Sequence, residues 1–88
     1  MMDKSTLVGL AEVTYRLVDQ ADDSATLTRL AKVALEVKQL LDDANIEEDL
    51  GTDLLEFAQL KRDGNEVGTN KFRDSARELL ESARVKVA

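Results

Sequence analysis

Carboxylates are the only abundant groups in this sequence that could do chemistry. Nine of the 18 acidic residues fall in one stretch: Asp42, Asp43, Glu47, Glu48, Asp49, Asp53, Glu56, Asp63 and Glu66. Such a run can hold a hard cation, imitate a phosphate backbone or dock a basic protein. A hard cation needs about six oxygens converging on one point. Asp42, Asp43, Glu47, Glu48 and Asp49 instead cluster around a helix end and the following cap, where they solvate the junction and complement a helix dipole. Mimicry of nucleic acid needs acids spaced like phosphates, and the five bases from Lys71 onward oppose it. Acid–base work by a carboxylate pair requires one partner raised in pKa by apolar burial. Periodicity puts every acid here on a polar face, at a cap or in a loop. Ser5, Ser24, Ser75 and Ser82 lack an evident activating base. The absence of His and Cys removes imidazole bases, thiol nucleophiles, disulfides, Cys/His zinc sites and haem ligation by those residues. The expectation is a non-enzymatic chain with no metal, no cofactor and no small-molecule substrate.

Two segments look like known ones. Asp63 to Asp74 resembles an EF-hand loop, with Asp63, Asn65, Gly68 and Asp74 at positions 1, 3, 6 and 12. Position 5 is Val67 and position 9 is Lys71, so a loop with helix caps is expected rather than a calcium site. Glu48-Asp49-Leu50-Gly51-Thr52-Asp53-Leu54-Leu55-Glu56 resembles the Asp-Leu-Gly-x-Asp-Ser-Leu segment of acyl carrier proteins, which are also acidic helical domains of about this size. The resemblance implies a phosphopantetheine arm on a serine, but Leu54 stands at that place. It covers nine of the 88 residues.

The elements that position these residues are helices. Proline is absent and Leu and Ala abound, which favours helix before any pattern is read. From about Asp23 to Ala44, the residues Leu27, Leu30, Ala34, Val37, Leu41 and Ala44 step by threes and fours, a heptad seam. Thr6 to Gln20 forms an earlier helix on Leu7, Leu10, Thr14, Leu17 and Ala21, capped by Asp3 or Ser5. Gly9 within it marks a close helix–helix approach. A third helix starts near Asn45, with Asn45 and Glu48 as a capping-box variant, or after Gly51, with Asp53 and Glu56 as a second possible start; Gly51 reads as a kink or as the gap between a short turn and the main helix. It carries Ile46, Leu50, Leu54, Phe57, Ala58 and Lys61 on one face. Gly64 stops it, and Gly64 to Asn70 reads as a loop. Thr69 or Asn70 then caps a final helix bearing Phe72, Ala76, Leu79, Leu80, Ala83 and Val87. At 88 residues this predicts one all-α domain, residues 1–88, a compact antiparallel bundle of four helices.

The net charge of −6 opposes nucleic acid and anionic membrane surfaces and favours basic partners. No apolar run is long enough to span a bilayer, no secretory signal is evident, and a cytoplasmic location is expected. The charge is uneven: residues 1–41 are nearly neutral, 42–66 carry −7 and 67–88 carry +2. Pairing of the last helix with the middle segment would cancel much of that field. The functional expectation is a protein-interaction module, such as a small bacterial or phage adaptor, regulator or inhibitor. It would present Asp42, Asp43, Glu47, Glu48 and Asp49 to a basic protein, with Leu50, Leu54, Phe57 or Tyr15 as apolar anchors. The alternative is an assembly subunit that self-associates through its helix seams. Val8, Val13 and Tyr15 exceed what one seam of the first helix can bury, which predicts a homodimer.

Overall fold

Two aspartates start the first two helices. Asp3 accepts the Thr6 N–H at 2.7 Å and Asp23 accepts the Thr26 N–H at 2.9 Å, each satisfying an amide that the helix leaves orphaned. The computed structural model describes residues 3–87. It contains α1 (Lys4–Gln20), α2 (Ser24–Asp43), α3 (Leu50–Arg62) and α4 (Glu66–Val87), the expected all-α four-helix bundle. Each helix packs on the next and α4 closes against α1; α1 also touches α3 across the middle, whereas α2 and α4 do not touch. The short extent of 17 Å is two helix layers. The long one, 34 Å, is set by the 22 residues of α4 at about 1.5 Å each.

Two helices end in the same way. At the end of α2 the Ile46 N–H bonds to the Leu41 carbonyl and the Asn45 N–H to that of Asp42, with Asn45 at φ 55°. At the end of α3 the Asn65 N–H bonds to Leu60 and the Gly64 N–H to Lys61, with Gly64 at φ 77°. Both are Schellman closures, which place a left-handed residue just past the cap. The expected capping box at Asn45 is therefore corrected: Asn45 terminates α2 and does not start α3. Its polar side chain permits the left-handed conformation, and the buried pair Leu41 and Ile46 packs beneath the closure.

Helix α3 begins at Leu50, after a short turn closed by the Leu50 N–H and the Glu47 carbonyl, and Gly51 lies in its first turn. A Cβ there would sit 2.8 Å from the Lys38 Cα, so the glycine lets α3 approach α2. Gly9, expected to play that part, has nothing within 4 Å of its Cβ position. The loop expected over Gly64 to Asn70 is shorter too. Asn65 accepts the Gly68 N–H at 2.9 Å and starts α4 at Glu66, ahead of the expected cap at Thr69 or Asn70. Side-chain capping outweighs the poor helix propensity of the residues that follow.

The core holds the α2 seam (Leu27, Leu30, Ala34, Val37, Leu41), the α3 face (Leu50, Leu54, Phe57, Ala58) and Ala76, Leu80 and Ala83 of α4. On α1 the buried set is Leu7, Val8, Ala11, Thr14, Tyr15 and Val18. The expected stripe through Leu10 and Leu17 is corrected, since Leu17 is exposed and Leu10 only half-buried. Both stripes have helical spacing, and contact with α4 on the Val8 and Tyr15 side decides between them.

Three carboxyls are held below their ordinary range: Asp3 by the Thr6 amide, Asp23 by the Thr26 amide and Glu47 chiefly by the Lys86 ammonium. Each binds its proton more readily in the unfolded chain, so its contribution to stability is complete above the unfolded value and lost as pH falls through the folded one. The melting temperature is expected to hold from neutrality to about pH 5 and to fall below about pH 4. Glu47→Gln should flatten that decline in a thermal series across pH, and an unchanged acid slope would contradict the assignment.

Candidate functional site

The acidic junction is built by the closure of α2 and by a turn in which the Leu50 N–H bonds to the Glu47 carbonyl at 3.0 Å. Asp42 is paired along the helix with Lys38 at 2.7 Å. Glu47 is turned inward, accepts the Ser82 hydroxyl at 3.2 Å and pairs with Lys86. Asp43, Glu48 and Asp49 are exposed and make no ion pair among the described residues. Glu48 and Asp49 edge an open depression shared with Lys38, Asp42 and Thr52. Among the described residues no three acidic side chains gather closely enough to hold a metal ion.

The expected pairing of the last helix with the middle segment is realised only in part. Lys86 reaches Glu47, and Ser75 donates to Asp53. Arg73 and Arg84 turn instead to α1, pairing at 2.7 Å with Asp19 and Glu12. The junction thus keeps most of its negative field.

The apolar anchors are corrected. Leu50, Leu54 and Phe57 are fully buried and Tyr15 nearly so. The Tyr15 and Phe57 rings meet at 5.3 Å, the Tyr15 hydroxyl donates to the Arg73 carbonyl at 3.4 Å, and Arg73 lies over the Phe57 ring at 5.5 Å. These side chains hold the bundle together and offer nothing to a partner. Leu54 also faces the core, whereas an acyl carrier would present its modified residue to solvent. The segment resembling an EF-hand loop is mostly helix: Glu66 to Asp74 lie within α4.

Lys61 was expected on the apolar face of α3, and it reaches across to α1. Its ammonium donates to the Val18 carbonyl at 2.8 Å and the Asp19 carbonyl at 2.5 Å. Helix α1 has no basic residue in its last turn, so α3 supplies the cation that its carbonyl end favours. Burial pulls the Lys61 pKa down.

A different surface emerges from the packing. Helix α1 meets α4 on the side of Val8, Glu12 and Tyr15, and α2 meets α3 on the side of Lys38 and Asp42. At 3.6 residues per turn, Val13 and Leu17 lie on the opposite flank of α1, and Val33 and Leu40 on the opposite flank of α2. Those flanks border the same antiparallel seam, so the four side chains share the outer face of the α1/α2 pair, with half-buried Leu10 between them. Their exposures are 52%, 49%, 38% and 37%, too high for core residues; Leu35, 46% exposed, lies on the other flank of α2, and the four extend along the length of the α1/α2 pair. Of the three residues expected to be surplus on the first helix, only Val13 is exposed; Val8 and Tyr15 are consumed by α4. The α2 heptad seam is likewise spent inside the chain. Comparison with family models, with curated proteins and with solved structures returns no match for the chain. No helix among the described residues is long and apolar enough to cross a membrane.

Proposed function

We propose that the chain is a non-enzymatic protein-interaction module whose principal contact surface is the outer face of the α1/α2 pair. The observation that carries this reading is the placement of Val13, Leu17, Val33 and Leu40 on one face, each between 37% and 52% exposed. An aliphatic face rimmed by polar residues loses its unfavourable hydration when a partner covers it.

The acidic junction supports a second contact, with a basic protein surface. Asp43, Glu48 and Asp49 stand exposed there, and the neighbouring Lys38 is already engaged by Asp42. Such a surface steers association and governs its salt dependence more than it holds the complex.

Photo-cross-linking in the source cells tests both surfaces together. A benzophenone side chain replacing Val33 or Val13 is expected to give discrete protein adducts, whereas the same group at Val85, exposed on α4, gives none. A probe at Glu48 reads the acidic surface, and its adducts should fade as salt rises. If Val33 and Val13 give no more adduct than Val85, the α1/α2 face is not a contact surface.

A further inference from the structure

We propose that the occupant of the α1/α2 face is a second copy of this chain, related by a two-fold axis that runs across the helices beside Val33. The inference rests on the reading of this face as the contact surface. Its own support is a pair of charges. Arg29 and Glu36 lie on the Val33 and Leu40 side of α2, both exposed, and neither has an ion-pair partner among the described residues. They are seven residues apart, about 10 Å along the helix, and their midpoint falls beside Val33.

That placement is self-complementary. A two-fold through the midpoint lays α2 antiparallel on the partner's α2, so each Arg29 meets the other chain's Glu36. One interface then contains two identical ion pairs, the mark of an isologous contact. The same operation brings the exposed aliphatic side chains of the two copies together, Val33 near the axis and Leu40 toward the ends. Val13 on α1 lies at about the level of Val33, so α1 stacks on its counterpart in the same way. Oligomerisation also supplies burial that a domain of 88 residues makes sparingly for itself.

Sedimentation equilibrium across the micromolar range, on the full chain and four variants, tests the proposal. The unaltered chain should move from 9.7 kDa toward twice that mass. Arg29→Glu and Glu36→Arg should each weaken the dimer by about tenfold or more, because like charges then face each other twice. The double reversal should restore it, and an equal mixture of the two single variants should form a mixed dimer, each supplying the sign the other lacks. A variant that merely unfolds would not be rescued in this way, and circular dichroism on each chain checks the fold independently. Val33→Glu should abolish the dimer. A dimer lost with Val33→Glu but indifferent to the charge reversals would overturn this two-fold while leaving the face as a contact surface. A dimer indifferent to Val33→Glu as well would overturn both. A chain monomeric at every concentration would overturn the second copy as occupant, and adducts at Val33 with a mass other than twice that of the chain would then assign the face to another protein.

Discussion

Phe57→Ala is expected to remove about 3–5 kcal/mol of stability, a large part of the roughly 5–15 kcal/mol that holds a small domain together. The ring is fully buried in α3, where it packs at a tilt against Tyr15 of α1 and lies under the Arg73 guanidinium of α4. Three helices therefore converge on one side chain. Truncation costs both the transfer of the ring from water and the cavity left behind, which helices joined by short loops close only in part. The Tyr15 hydroxyl contact with the Arg73 carbonyl is also loosened when its ring loses its neighbour. Urea unfolding checks this: the midpoint should fall sharply while the dependence on denaturant stays the same. A loss below about 1 kcal/mol would mean that the core does not converge on this ring.

The second large effect concerns glycine, and its sign differs between two positions. Gly51→Val is expected to cost about 3 kcal/mol. The nearest obstacle to a side chain is the Lys38 Cα, 2.8 Å from the Cβ position, with Lys38 Cγ at the same distance. The Lys38 side chain can rotate aside, but its backbone can move only if α2 and α3 separate. Leu41 of α2 and Leu54 of α3 are both fully buried in the core the two helices share. Gly9→Ala meets nothing within 4 Å and is expected to stabilise α1 by up to about 1 kcal/mol through helix propensity. Thermal melts of the two variants should therefore move in opposite directions. If both shifted the same way, the close approach would not be at Gly51.

Helix number and order were legible in the sequence because the α2 seam, the α3 face and the α4 stripe each follow a single helical period. The end of α3 was legible as well, since Gly64 is the residue type that a left-handed closure favours. The end of α2 was not, because Asn45 serves equally as a start or a stop and only the Ile46 bond to Leu41 decides. On α1 two stripes share the same spacing, and choosing between them requires knowing which flank α4 covers. That ambiguity also hid the candidate site. Leu17 read as core and Val8 and Tyr15 as surplus, while the packing reverses these roles. Leu50, Leu54 and Phe57 read as anchors beside the acids, because sequence proximity to an exposed turn says nothing about which way the helix faces. The acids themselves were legible, yet their pairing was not: Glu47 and Lys86 are 39 positions apart.

Methyl-resolved NMR spectra, recorded on dilute and concentrated protein, test at the level of single residues whether the α1/α2 face contacts a second copy. Concentration-dependent shifts are expected at Val13, Leu17, Val33 and Leu40, with Val67 and Val85 unmoved although these two are the more exposed. Shifts centred on Val67 or Val85, or spectra identical at both concentrations, would contradict that contact.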